Sequence, residues 1–156
     1  MSGGKKAINK LKRLPPFVPL PWDLLNHRSY IELPFAASKA LPYFLGKVKT
    51  YYNDPNRQST EFSFSYKEAR SLGFALATFS KVISDLIKYG FLDPIDKGGL
   101  RGEYKSNNLF CLSDRWKLFD KPDFKVVEWK FFFPRQKQIQ KVKRTASIYE
   151  KDAVSL

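Results

Sequence analysis

The sequence has one cysteine and one histidine among its 156 residues. Cys111 has no partner for an internal disulfide, and His27 has no second imidazole with which to form a metal site or proton relay. No apolar run reaches the roughly 18–20 residues of a membrane-spanning helix. The basic N-terminus also lacks the apolar segment of a secretory signal. We therefore expect a cytoplasmic protein with no metal and no cofactor.

Catalytic motifs are also missing. The sequence contains no phosphate-cradling GxxxxGK[ST] segment. Its carboxylates are scattered, with no spacing that pairs them for acid–base work; they include Asp23, Glu32, Glu61, Glu68, Asp85, Asp93 and Asp96. We do not expect an enzyme, unless the chemistry belongs to another chain.

Acidic residues are absent from two basic segments near the ends of the chain. Residues 1–13 and 135–144 each carry five Lys or Arg and no acid, within a formal net charge of +13. Such a charge distribution favours a polyanionic partner, nucleic acid rather than a membrane. An alternative is that these segments only keep the protein soluble. In either case they carry no sequence readout of their own.

The chain does contain abundant aromatic residues, with 14 Phe, 8 Tyr and 3 Trp, enough to build the core of one domain. We divide it into a flexible basic arm at 1–16, a folded domain at 17–124, and an aromatic segment with a basic tail at 125–156. Between Phe17 and Tyr30, prolines alternate with large apolar residues. This pattern predicts an extended apolar strip and one short helical turn, with His27 as a packing or surface residue.

Residues 33–52 follow a helical period. The predicted face is Phe35, Ala36, Ala40, Tyr43, Phe44, Lys47, Val48 and Tyr51, broadened by Leu41 and Leu45. Pro42 allows either one kinked helix, which we favour, or a helix that begins near Leu41. Turn-forming residues at 53–60 close this unit.

The stretch from Glu61 to Leu92 predicts a strand and two helices. Phe62 and Phe64 alternate as in a short strand, and Ser65 precedes Glu68 at the spacing of a capping box. The first helix should start at Tyr66 and end at Gly73. The second, Leu76 to Tyr89, should bury Phe79, Val82, Ile83, Leu86 and Ile87. It leaves Ala77, Thr78, Ser80, Lys81, Ser84 and Lys88 pointing elsewhere.

Two helices around a tight glycine turn match the helix-turn-helix that seats its second helix in a DNA major groove. The alternative is a plain helical hairpin within some other fold. The next segment of the chain favours the helix-turn-helix. It predicts a strand at 91–95, placed at a sheet edge because of Pro94, then a flexible basic loop at 96–103 and a strand at 108–112. With residues 62–64, these strands can form a small three-stranded antiparallel sheet.

The order FSFSYKEARSLGFALATFSKVISDLIKYGFL, DKGGLRGEY and NLFCLSDRW resembles winged helix-turn-helix DNA-binding domains, over about residues 17–124. It looks most like small regulators of bacterial mobile elements and replication-initiator proteins. The resemblance implies an α+β fold, sequence-specific binding of double-stranded DNA, and a role in transcription or replication. Thr78, Ser80 and Lys81 would contact the groove or phosphates, and Lys97, Arg101 and Lys105 would be contacts of the wing. The sequence departs from the family at Ala75, where a Ser or Thr helix cap is usual.

Residues 113–134 hold a further group of aromatic side chains. Trp116 and Phe119 should pack back on the domain. The segment VEWKFFFP is either a further packed strand or an exposed patch for self-association or a partner. Alternatives to duplex binding are thus a protein-interaction scaffold that uses Phe131–Phe133, possible as a homodimer, and binding of single-stranded nucleic acid by aromatic and basic residues.

Overall fold

The three-dimensional description is a computed structural model that covers residues 15–101 and 104–132, with only the backbone at 99–101 and 104–106. Within these ranges the chain is a mixed α+β fold with five α-helices and a three-stranded antiparallel sheet. Residues 1–14 of the predicted arm at 1–16, and the basic tail at 135–156, lie outside the described residues.

The N-terminal part folds as three helices. Where the sequence predicted one short turn, the structure has two, α1 (Trp22–Leu25) and α2 (Arg28–Ile31). His27 separates them because its Nδ1 accepts the Ser29 amide at 3.2 Å and so caps α2. The predicted apolar strip is packed only in part: Leu24 is buried and Leu25 packs against the core, but Phe17 and Trp22 are 68% and 77% exposed.

The third helix, α3 (Phe35–Leu45), is shorter than the predicted 33–52 and continues through Pro42. Its buried face is Ala37, Ala40, Leu41 and Phe44. Phe35, which was expected on that face, is 92% exposed. The helix ends at Gly46, where Arg57 from the following loop donates to the Leu45 carbonyl at 3.5 Å.

The centre of the chain folds as predicted. Strand β1 (Phe62–Ser63) leads into α4 (Tyr66–Ser71), which begins with a complete capping box between Ser65 and Glu68. After a turn at Gly73, α5 runs from Leu76 to Lys88. Its buried residues are the five predicted ones, Phe79, Val82, Ile83, Leu86 and Ile87.

Strands β2 (Leu92–Asp96) and β5 (Leu109–Leu112) join β1 in a sheet of order β1-β5-β2, all antiparallel. Pro94 lies in β2 opposite Phe110, with a register shift before Asp96. The predicted edge position of β2 is therefore confirmed, and it is the position where a strand proline is tolerated.

The segment between β2 and β5 is not simply a loop, as the sequence predicted. It contains β3 (Gly99–Arg101) and β4 (Tyr104–Ser106), which pair as a two-stranded antiparallel ribbon. The Asn108 side chain accepts the Gly98 amide at 2.8 Å and closes the base of this ribbon. The sequence did not reveal these two strands, because they have no apolar alternation and pair with each other.

An aromatic cluster joins the helices to the sheet. Phe44 of α3 stacks on Phe79 of α5, with ring centroids 5.9 Å apart, and meets Phe110 of β5 edge-on at 6.0 Å. Phe64 lies 4.6 Å from Phe44 and 5.1 Å from Phe79. The buried face of α5 is thereby fastened to both neighbouring layers, and its opposite face is left to solvent.

The chain after β5 packs back on this body. Trp116, on a 3-10 helix (Arg115–Leu118), is buried and stacks on Phe91, and Phe119 stacks on Tyr89, as predicted. A second 3-10 helix (Trp129–Phe131) contacts α5, and Trp129 packs on Phe110. The VEWKFFFP segment is thus partly packed, and it is not a strand in its described part.

Candidate nucleic-acid interface

Helices α4 and α5 are joined by a turn that depends on glycine. Gly73 has a φ of +90°, a left-handed conformation that residues with a Cβ rarely adopt. Phe74 then returns to the core, and its amide donates to the Ala69 carbonyl at 3.0 Å. The turn therefore sets where α5 begins relative to α4.

Apart from Leu76, which is 68% exposed, the outward face of α5 consists of small, hydroxyl and basic residues. Ala77, Thr78, Ser80, Lys81 and Lys88 are exposed, and Ser84 is half-buried. The six residues share one helix and lie away from its buried stripe. The small side chains at the N-terminal half allow another molecule to approach the backbone closely, and Lys81 adds a positive charge there.

The first turn of α5 has no side-chain cap among the described residues. Ala75 occupies the N-cap position with a φ of −68° and a ψ of 151°, the usual cap conformation, but it has no side-chain acceptor. The first amides of a helix have no partner within the helix, and the helix dipole makes this end attractive to anions. The neighbouring α4 differs, because Ser65 accepts the Glu68 amide at 3.1 Å.

The acidic residues Glu68 of α4 and Asp85 of α5 lie outside the exposed N-terminal half of α5. Lys47, which donates at 2.8 Å, together with the Ser65 amide lowers the pKa of Glu68. Asp85, the one acid of α5, is half-buried, and burial raises its pKa against the opposing effect of Lys81 and Lys88. The N-terminal half of α5 contains no acidic residue, so its exposed surface carries no negative side chain.

The predicted contacts on the β2–β5 connection are spread over the ribbon and its base. Lys97 lies at the base, with Nζ 4.6 Å from the centre of the Trp129 ring and 3.5 Å from the Lys130 carbonyl oxygen. Burial lowers its pKa. Lys97 therefore also fastens the C-terminal segment. Arg101 and Lys105 lie on the two strands of the ribbon, in neighbouring registers, and their side chains lie outside the described part.

Arg115 is an organising residue that the sequence did not reveal. Its guanidinium donates to the Asp93 carboxylate at 2.6 Å and to the Ile87 and Leu92 carbonyls at 2.8 Å. A further bond of 2.9 Å reaches the Lys125 carbonyl. Arg115 thus ties the end of α5 to β2 and to the C-terminal segment. No local pattern marks it, since all four partners are distant in sequence.

Other chemistry has little support within the described ranges. Burial and the Asp93 and Glu61 carboxylates raise the pKa of the Cys111 thiol to about 11, so it stays protonated at neutral pH. No group of His, Cys, Asp or Glu in residues 15–101 and 104–132 has the arrangement of a metal site. None of the helices described is long and apolar enough to cross a bilayer.

Comparison of the chain with protein-family models, curated proteins and solved structures finds no match. The candidate interface therefore rests on its own geometry: an exposed face of mostly small and basic residues on α5, an uncapped helix start, and a β-ribbon with basic residues between β2 and β5.

Proposed function

We propose that this chain is a winged helix-turn-helix protein that binds double-stranded DNA through the outward face of α5. The observation that carries the proposal is the start of α5, where first-turn amides without a side-chain cap, small side chains and Lys81 occupy one exposed surface. Phosphate oxygens satisfy such amides, and the small side chains allow the close approach this requires.

The surrounding architecture supports this docking mode. A major groove is about 12 Å wide and admits one α-helix whose far side is packed against a protein body. Helix α5 meets that condition because Phe79 and its neighbours hold the buried face to α3 and the sheet. Thr78, Ser80 and Lys81 would then face base edges or phosphates, with Ala77 and Ser84 alongside and Lys88 toward the other end.

The β3–β4 ribbon supports a second contact, in the role of the wing. It follows β2, the strand after α5, and carries Arg101 and Lys105. We assign it to the DNA backbone or minor groove, where cations add affinity with little base discrimination. The basic segments at 1–13 and 135–144 add phosphate contacts, so that affinity should decrease steeply with salt, with a slope of about −0.9 per neutralised phosphate.

The test is a binding titration with labelled duplex, single-stranded DNA and RNA at two salt concentrations. The proposal expects the tightest binding to duplex. In a pool of random duplexes, Lys81→Ala should broaden the selected sequences, whereas deletion of residues 135–156 should weaken all duplexes alike and reduce the salt slope.

A matched control keeps the charge change but moves it away from the candidate surface. Lys117→Ala removes an exposed lysine beyond the C-terminal end of α5, and should leave the selected sequences unchanged. If the double variant Lys81→Ala, Arg101→Ala bound duplex as tightly as the unchanged protein, the assignment of α5 and the ribbon would be wrong.

One observation favours a second function, protein–protein interaction. Phe131 is 65% exposed on the second 3-10 helix, with the Lys130 ammonium 5.6 Å from its ring centre. An exposed phenylalanine is a suitable anchor for a partner or a second copy of the chain. Light scattering of the Phe131→Ser variant tests this: loss of a dimer would support self-association, and an unchanged mass would argue against it.

A further inference from the structure

A groove beside the C-terminal end of α3 contains a buried positive charge. Arg57 is only 5% exposed, and in the described part of the chain no carboxylate lies within ion-pair distance of its guanidinium. Arginine is rarely buried to this extent unless an opposite charge compensates it. None of the described residues that line the groove belongs to α5, and the inference does not depend on DNA binding.

The hydrogen bonds of Arg57 are long for a charged donor. Nη1 lies 3.2 Å from the Thr50 carbonyl oxygen and 3.5 Å from that of Val48, and Nη2 lies 3.5 Å from that of Leu45. Charge-assisted bonds are typically about 2.7–2.9 Å. A guanidinium has five N–H groups, so that Nε–H and one Nη2–H remain without an acceptor among the described residues.

Arg57 lines a groove of about 780 Å³, a volume within the range of small-molecule sites. Its apolar wall includes Phe17, Val18, Leu45 and Tyr51. Lys49 lies at the same groove and is exposed, and none of the described residues that line it is acidic. The groove thus combines an apolar wall with positive charge.

Thr50 supplies a second polar group that lacks a hydrogen-bond partner among the described residues. Its hydroxyl oxygen is buried and has no hydrogen-bond partner among the residues that the structure describes, and Thr50 lines the same groove. A buried hydroxyl without a partner is costly. A ligand oxygen that accepts from Thr50 and Arg57 would satisfy both.

We infer that this groove binds a small organic carboxylate with an apolar or aromatic tail. The carboxylate accepts from the remaining N–H groups of Arg57 and from the Thr50 hydroxyl, while the tail lies against Phe17 and Tyr51. A single planar anion matches one guanidinium fork. A phosphate dianion would leave charge uncompensated in a groove with one buried cation.

The experiment is isothermal titration of the full chain with 4-phenylbutyrate, and with its neutral counterpart 4-phenylbutan-1-ol. The acid should bind at least about tenfold more tightly than the alcohol, since a charged hydrogen bond to a buried group contributes that much. Absence of acid binding, or equal binding of acid and alcohol, overturns the inference.

Two variants distinguish a ligand site from a purely structural arginine. Thr50→Val should raise the melting temperature of the ligand-free protein, because it removes an unpartnered hydroxyl. The same change should weaken the binding of 4-phenylbutyrate several-fold. Arg57→Gln should abolish the preference for acid over alcohol. If Arg57→Gln fails to fold, Thr50→Val still decides: a stabilised protein that binds the acid as tightly as before refutes the site.

Duplex-binding measurements separate this inference from the proposed function. Thr50→Val lies in the groove and not on α5, so that it should leave DNA affinity unchanged. Acid binding without DNA binding would refute only the proposed function, and DNA binding without acid binding would refute only the groove.

Discussion

The Arg115 guanidinium and the Asp93 carboxylate lie 2.6 Å apart and join the 3-10 helix after the sheet to strand β2. The same guanidinium holds the Ile87 carbonyl at the end of α5. This one side chain therefore ties the end of α5 to β2 and to the 3-10 helix. It is largely buried, with 14% of the side chain exposed.

Arg115→Ala should lower the free energy of unfolding by about 2–4 kcal/mol, because it leaves buried carbonyls and the Asp93 carboxylate without their donor. Urea denaturation measures the loss. Arg115→Lys keeps the positive charge but not the planar set of donors, so this variant should retain only part of the stability that Arg115→Ala loses. Full recovery with lysine would show that charge alone accounts for the effect.

Phe79→Ala should destabilise the protein by about 3–5 kcal/mol, since its fully buried ring contacts the rings of Phe44, Phe64 and Phe74. Phe79→Leu retains much of the volume and should cost less. Urea denaturation of both variants tests this, and similar losses would mean that the cavity is not the dominant cost.

Gly73 and Gly90, both left-handed, provide a matched pair. Gly73→Ala meets no atom of the described residues within 4 Å and should cost only the conformational strain, about 1–2 kcal/mol. At Gly90 the added Cβ would lie 2.5 Å from the Trp116 nitrogen and 2.8 Å from the Arg115 carbonyl carbon, so a larger loss is expected. Thermal denaturation compares them; equal losses would contradict the close packing at Gly90.

The capping box predicts a pH-dependent contribution. The pKa of Glu68 is lowered in the folded protein, so its stabilisation is fully present above the ordinary value of 4.5 and is lost as pH falls through the folded pKa. The stability difference between the unchanged protein and Glu68→Gln should therefore shrink as pH falls below 4.5. Chemical denaturation at neutral and strongly acidic pH measures it, and a constant difference would contradict this assignment.

The uncapped start of α5 allows stability and DNA binding to be separated. Ala75→Asp supplies a cap and should stabilise the protein by about 0.5–2 kcal/mol. Because the same carboxylate would occupy the position proposed for a phosphate, duplex affinity should fall. Ala75→Ser is the neutral control, with a similar gain in stability and a smaller loss of affinity. If Ala75→Asp bound duplex more tightly, the phosphate would not be at this helix end.

Local patterns were sufficient where neighbours in sequence carry the interaction. Ser65 and Glu68 form their capping box within one helical turn, and the apolar period of α5 identified its buried face. Pro94 indicated an edge strand because proline has no N–H to donate to a neighbouring strand, whatever the rest of the fold. These features allowed the mixed α+β fold and the exposed face of α5 to be predicted.

Sequence reasoning failed where distant residues decide the structure. The end of α3 at Leu45 coincides with a donor from Arg57, and Phe35 is exposed because the packing of α3 on α5 turns Ala37 and Phe44 inward. The period of 33–52 could not show which side of the helix the rest of the chain would cover. The β3–β4 ribbon was missed for a similar reason, since polar residues pair there with each other.

The sequence by itself determined the starts of α4 and α5, the glycine turn and the small and basic residues of α5, because caps, left-handed backbone and amphipathic periods act over a few residues. Only the tertiary structure decided which surfaces remain open. Arg115 bonds to backbone carbonyls 28 and 23 residues away, and Arg57 bonds to carbonyls 7 and 12 residues away; only folding brings these groups together.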